Sequence, residues 1–166
     1  MKLRLDEQDI RILKLLQENC KLSIRKIAEK VGSPVTTVFT KIRRMEKLGF
    51  IEGYRAVLDA KALGKDAAAF ILASFAYHRA ESDRPLSQRE LARQIAWFPE
   101  VQEVHIITGD WDILIKVKAR DVDTVGKFII DKLRLIKGIE KTLTCMVFET
   151  LKESTSISLT ELAQSD

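Results

Sequence analysis

The sequence predicts an α+β protein in two parts: three N-terminal helices, then a connecting strand, then a β-α-β-β-α-β unit. Three observations predict it. Before Gly49 the apolar residues recur every three or four positions behind cap residues, whereas beyond Asp66 they come mostly in blocks of strand length. The charge divides in the same place: residues 1–55 carry 13 Lys or Arg against 7 Asp or Glu, and residues 56–166 carry 15 against 17. The expected boundaries are a helical unit over 1–52, a strand and linker over 53–66, the β-α-β-β-α-β unit over 67–152, and a tail over 153–166.

Asp6 opens the first helix, because its carboxylate can take free amide hydrogens of the first turn, and Ile10, Leu13 and Leu16 carry the helical period to about Cys20. Ser23 caps a second, short helix with Ile24, Ile27, Ala28 and Val31 on one face. Gly32 ends it by accepting a left-handed backbone. Ser33 and Pro34 then restart the chain almost at once, as cap and first helical residue of helix three. Gly49 closes that helix, Phe50–Leu58 reads as a strand leaving the module, and Asp59–Asp66 reads as the linker.

In the second half, Ala67–Tyr77 reads as a buried strand, although its alanines would also tolerate a helix. A helix runs from the Ser87 cap through Phe98, with Glu90 in the capping-box position and Pro99 as the stop. Val101–Thr108 and Trp111–Lys118 form a hairpin around Gly109-Asp110, whose glycine suits a two-residue type II′ turn. Val122–Ile136 is the second helix, Gly138 its end, and Ile139–Leu151 the last strand. This order is the split βαβ, ferredoxin-like pattern, with both helices on one face of a four-stranded sheet. A second copy of the chain is the expected cover for the other face.

Two short helices joined by so tight a connection, behind a longer one, make a helix-turn-helix. On helix three, Val35, Val38, Ile42, Met45 and Leu48 fall on one side, and Thr36, Thr40, Arg43 and Lys47 centre on the other. Hydroxyls and guanidinium groups in such a column suit a major groove and its phosphates. The candidate DNA-contacting set is Ser33, Thr36, Thr37, Thr40, Lys41, Arg43, Arg44 and Lys47. The basic bias of the first 55 residues agrees, although any amphipathic surface helix also turns charges outward.

Other chemistry finds little support. The carboxylates of Gly109-Asp110-Trp111-Asp112 suit acid-base work or an ammonium ligand, though an Asp in a hairpin turn is usually a turn former. His105 and Cys145 are candidates to meet across neighbouring strands, yet no His/Cys/Asp set has zinc spacing and no nucleophile has a base and orienter. Neither a metal nor a catalytic residue is expected, and no phosphate-cradling glycine loop is present. Cys20 and Cys145, one in each half, read as reduced, mostly buried thiols. Ala67–Ala76 is the longest apolar stretch, about half of the roughly twenty residues that cross a bilayer. With no apolar core of signal-peptide length at the N-terminus, the expected compartment is the cytoplasm.

Several separated motifs in order resemble one family. Leu5-Asp6-x-x-Asp9-x-x-Ile12-Leu13-x-x-Leu16-Gln17, Ser23-x-x-x-Ile27-Ala28, Lys41-Ile42-x-x-Met45-Glu46-x-x-Gly49-x-Ile51-x-Gly53-Tyr54 and Thr108-Gly109-Asp110-x-Asp112 resemble the Lrp/AsnC, or feast/famine, regulators over roughly residues 3 to 152. The resemblance implies dimers whose linker strands pair, further assembly to tetramers or octamers, bent DNA, and an amino-acid effector held between dimers. It places the effector at Ile107, Thr108, Gly109, Asp110 and Asp112, with Thr142 and Thr144 opposite. Carboxylates there would take the ammonium, and amides or hydroxyls the carboxylate. This chain departs from the pattern in having Pro34 where the family has a cap serine, and Lys41 where arginine is common. It also has a longer connection over Arg79–Leu86 and a tail over Glu153–Asp166, in which Ile157 and Leu159 suit an added edge strand.

The expectation is a sequence-specific, dimer-based DNA-binding regulator without a cofactor, tuned by an amino acid and associated with the nucleoid. The alternative is a small-molecule sensor or small α/β enzyme whose basic front end docks to a protein instead of DNA.

Overall fold

A computed structural model describes residues 5–76 and 87–160. The end of the expected first strand at Tyr77, the Arg79–Leu86 stretch and the last six residues lie outside them. The chain divides into two compact units, Met1–Val57 with Lys152–Asp166, and Leu58–Leu151.

In the first unit, α1 (Glu7–Glu18), α2 (Ile24–Val31) and α3 (Val35–Lys47) surround a core of Ile12, Leu13, Ile27, Ala28, Val31, Val38, Ile42 and Met45. The Asp6 carboxylate accepts the Asp9 amide at 2.8 Å while Asp9 accepts the Asp6 amide at 3.0 Å, a reciprocal capping box. Ser23 takes the Lys26 amide, and Gly32 ends α2 at φ +67°, where a side chain would be strained. The start of α3 differs from expectation. Pro34 occupies the N-cap, so α3 has no side-chain cap, and the Ser33 hydroxyl instead accepts from Gln8 Nε2 at 2.8 Å.

Phe50–Leu58 joins no ladder, and Val57 is 96% exposed. An extended segment becomes a strand only beside another, and among the described residues none lies alongside. The tail adds no edge strand either. The Gln17 side chain grips the Ile157 backbone twice, accepting its amide at 2.8 Å and donating to its carbonyl at 3.1 Å, while Leu159 packs against the first unit's core.

The second unit is a four-stranded antiparallel sheet in the order β2-β3-β1-β4, from β1 (Ala67–Phe75), β2 (Val101–Ile106), β3 (Ile113–Ala119) and β4 (Ile139–Met146). Two helices, α4 (Gln88–Ala96) and α5 (Val122–Asp131), cover one face. Period-two alternation decides which residues they cover: Ala69, Ile71, Ala73, Ile113, Ile115 and Val117 pack with Leu91, Ile95, Val125 and Phe128. The intervening Phe70, Leu72, Leu114, Leu143 and Cys145 lie on the other face, where Phe70 and Leu143 stay well exposed.

Several elements run shorter than expected, with α4 ending at Ala96 and β2 at Ile106. The α-helix stops at Asp131 and a 3-10 turn over Leu133–Leu135 follows, whose three-residue period brings both Leu133 and Ile136 into the core. The β4 ladder ends with the Val147 amide on the Ala68 carbonyl because β1 begins at Ala67, leaving residues up to Leu151 without a partner strand. The hairpin register is centred on Gly109-Asp110, but its last bond joins the Ile107 amide to the Asp112 carbonyl at 2.9 Å. The tip is therefore an open loop of Thr108–Trp111, with Gly109 at φ +118°. His105 and Cys145 sit on β2 and β4, at opposite edges of the sheet, and do not meet. Both cysteines are free and exposed where buried thiols were expected: Cys145 lies on the uncovered face, Cys20 just past α1.

Candidate nucleic-acid interface and effector cleft

The amphipathic division of α3 sets the first site. Val38, Ile42 and Met45 are buried, while Val35 and Leu48 at the two ends remain partly exposed. On the opposite side Thr36, Thr40, Arg43 and Lys47 are exposed, so four groups able to meet a duplex share one ridge. The Thr40 hydroxyl donates back to the Thr36 carbonyl at 2.9 Å, which orients its lone pairs outward. Arg43 is 69% exposed, lies over the Phe39 ring at 5.4 Å, and reaches Glu46 at 3.7 Å. Stacking on an aromatic face leaves the guanidinium edge open for planar acceptors. Thr37 is half-buried at the flank.

The two remaining cations stand elsewhere. Lys41 is only 16% exposed, with its ammonium bonded to the Asp6 carboxylate and 3.1 Å from Asp9 Oδ1. Arg44 donates to Asp9 Oδ2 while keeping 44% of its side chain exposed. Burial alone would raise the Asp6 pKa and lower that of Lys41, but their mutual bond, the bonds each makes to Asp9 and the attraction of opposite charges together more than offset it, so Asp6 falls below and Lys41 rises above its ordinary value. Local spacing gave one signal for this network, the Asp6-x-x-Asp9 capping pair. The cations that complete it lie 32 to 35 residues away.

In the second unit, Asp112 braces two strands. Its Oδ2 accepts the Phe75 amide at 2.8 Å, its amide donates to the Ala73 carbonyl at 3.1 Å, and Gln88 donates to its carbonyl at 3.3 Å. Thr142 pairs with Ala73 from the other side, so Asp112 and Thr142 flank one residue of β1. Thr144, opposite Ile71, lies one step further along. Gly109, Asp110 and Thr108 are exposed on the hairpin tip, with Ile107 half-buried below them. Beside Thr142 opens a cleft of about 600 Å³ lined by Trp111, Arg134, Ile139, Glu140, Lys141, Thr142 and Leu143. Arg134 Nε donates to the Thr142 hydroxyl at 3.2 Å. A guanidinium, a carboxylate and an indole around one hollow match the two charged ends and the side chain of a zwitterion. Sequence reasoning missed Arg134, Glu140 and Trp111. Trp111 stood inside the quoted glycine-aspartate motif, but nothing local pointed to the other two.

Among the described residues no His, Cys, Asp or Glu cluster suits a metal, and no helix is long and apolar enough to cross a membrane.

Both parts of the chain match families of known proteins. Residues 5–52 match the winged helix-turn-helix DNA-binding family, and residues 69–157 match the Lrp/AsnC ligand binding domain. An uncharacterized HTH-type transcriptional regulator of Pyrococcus abyssi is 42% identical over 149 residues, 90% of this chain and 96% of that one. The HTH-type transcriptional regulator FL11 of Pyrococcus horikoshii is 32% identical over 159 residues, covering 96% and 99%. Among solved structures, a transcriptional regulator of Neisseria meningitidis in complex with L-Met superposes with a TM-score of 0.86 at 27% identity, over 95% of this chain and 99% of that one. AsnC of E. coli gives 0.80 at 26% identity, over 92% and 97%. With a family match over each part and regulators of 32% and 42% identity covering at least 90% of it, the chain belongs to the Lrp/AsnC family of DNA-binding transcriptional regulators, a family of regulators and not of enzymes.

Proposed function

We propose that this chain regulates transcription by laying the outer ridge of α3 in the major groove, and that an amino acid bound in the second unit modulates that contact. The observation that carries the reading is the division of α3. Thr36, Thr40, Arg43 and Lys47 lie exposed along one side, and Val38, Ile42 and Met45 anchor the other in the core. Thr37 and Arg44 flank the ridge and supply backbone contacts, while Arg43 reads base edges or clamps phosphate.

The working unit is a homodimer. Phe70, Leu72, Leu114 and Leu143 leave a sheet face uncovered, a second copy covers it at lowest cost, and dimers assemble further into tetramers or octamers. The effector site combines the hairpin loop Ile107, Thr108, Gly109, Asp110 and Asp112 with Thr142 and Thr144, extended by the adjoining Arg134 and Glu140. The L-Met carried by the Neisseria regulator supports an amino acid there. The protein works in the cytoplasm, on the nucleoid.

Selection from a random duplex library, with and without a panel of the twenty amino acids, tests the reading. The expected result is enrichment of one motif at moderate salt, strengthened or weakened by at least one amino acid. No enrichment even at low ionic strength would remove DNA binding, and enrichment indifferent to every amino acid would remove the effector.

A further inference from the structure

The acid pair at the start of α1 has no part in duplex contact as described, yet Asp9 is the one buried charged residue among those described, at 0% exposure. Every lone pair it uses points to a defined partner. Oδ1 takes Lys41 Nζ at 3.1 Å, and Oδ2 takes the Asp6 amide at 3.0 Å together with Arg44. Lys41 and Arg44 are three residues apart on α3, hence neighbours on one side of it, so two bonds fix both the rotation and the axial offset of α3 against α1. Apolar packing alone tolerates small slips of such a helix, whereas a buried carboxylate held by two cations allows one arrangement.

From this geometry, and resting on the DNA-binding reading, we propose that Asp9 is the positioning residue of the recognition helix. It sets which ridge faces the groove, and with Asp6 it withholds Lys41 from the phosphates. The cations that meet the duplex are then Arg43, Lys47 and the exposed part of Arg44. Specificity gains twice: the ridge is held in register, and sequence-blind attraction is lowered by one charge per recognition helix.

The salt dependence of binding separates this from a merely structural role. Full-length wild type, Arg43→Ala, Lys41→Gln and Asp9→Asn are titrated between 50 and 200 mM salt. Two 30-base-pair duplexes are used, one of mixed sequence and one selected by the wild type. On the mixed duplex, Arg43→Ala is expected to make the log–log salt slope shallower by about one unit, and Lys41→Gln by less than about 0.3. Asp9→Asn should steepen it by up to about one unit as Lys41 and Arg44 are released, while preference for the selected duplex falls at least about tenfold. A variant that only unfolds loses affinity for both duplexes together, and if Asp9→Asn does so the Lys41→Gln slope still decides. Lys41→Gln flattening the slope as much as Arg43→Ala, or a folded Asp9→Asn keeping both slope and preference, would overturn the proposal. If the wild type retains no duplex at all, the DNA-binding reading falls and takes this inference with it. If the wild type binds and the slopes disagree, only the inference falls.

Discussion

The two units hold their elements by different means. Among the described residues the ferredoxin-like unit has a core cluster twice as populous, sixteen buried residues against eight, built on alternating β1 and β3 side chains under α4 and α5. The three-helix unit supplements its smaller core with a buried carboxylate that ties α3 to α1. A sheet covered by helices gains its order from area, which is indifferent to small shifts of charge. A reading helix needs its register fixed, and directional bonds supply that more cheaply than more apolar surface on a domain whose outer face must stay polar.

Substitutions confined to one unit test this contrast. Phe128 is 2% exposed and meets Phe98 edge-to-face at a centroid distance of 5.6 Å. Phe128→Ala should cost about 3–5 kcal/mol in chemical denaturation, all of it in the second unit's transition. Asp9→Ala should cost about 2 kcal/mol in the first unit alone, below the full penalty for splitting a buried pair because Arg44 keeps solvent access. A calorimetric scan in which both variants lower the same transition equally would erase the distinction between the units. Ser23→Ala and Ser87→Ala each remove an N-cap and should cost about 1 kcal/mol in their own units, the control in which the two behave alike.

Acid and alkali act differently on the pair. Asp6 lies below its ordinary pKa through Lys41 and the Asp9 amide, against the upward pull of burial. On the other unit, Glu103 is lowered first by Lys116, and for Glu100 the upward pull of burial is overcome by the Lys132 bond, a backbone bond and nearby lysine charge acting together. A lowered carboxyl stabilises the fold above the unfolded value, and that stability drains as pH falls through the folded value, so both units should weaken below the ordinary carboxylate range. On the alkaline side the first unit carries a displaced phenol. Tyr54 is pushed up to about 12 by burial and by its bond to Glu46, whereas the ordinary value is 10.0. The unfolded chain then loses its proton first, so the first unit should lose stability between about pH 10 and 12. Absorbance of the phenolate reports this, and Glu46→Gln should bring the titration back toward 10.0. The smallest effect is at the tail, where Gln17→Ala should speed limited proteolysis of residues 152–160 without moving either melting transition.

Much of the fold was legible because its signals are local. Asp6, Ser23 and Ser87 cap where their spacing to free amides demands, and the hairpin register follows from glycine at the turn. What escaped depends on partners distant in the chain. Phe50–Leu58 has strand composition but no neighbouring strand among the described residues, β4 stops where β1 begins, and periodicity cannot tell the 3-10 turn after Asp131 from a continued helix. The same division runs through the sites. The α3 ridge could be read from a helical wheel, but the diversion of Lys41 to α1 and the arrival of Arg134 beside Thr142 are tertiary facts.

The proposed duplex contact rests on the exposed side of α3. The affinity of a mixed-sequence duplex at about 50 mM salt, for wild type and for the double variant Arg43→Ala, Lys47→Ala, tests it most directly. The double variant should bind more weakly by roughly tenfold or more, with the assembly size and the second unit's melting unchanged. Equal affinity of the two proteins would contradict it.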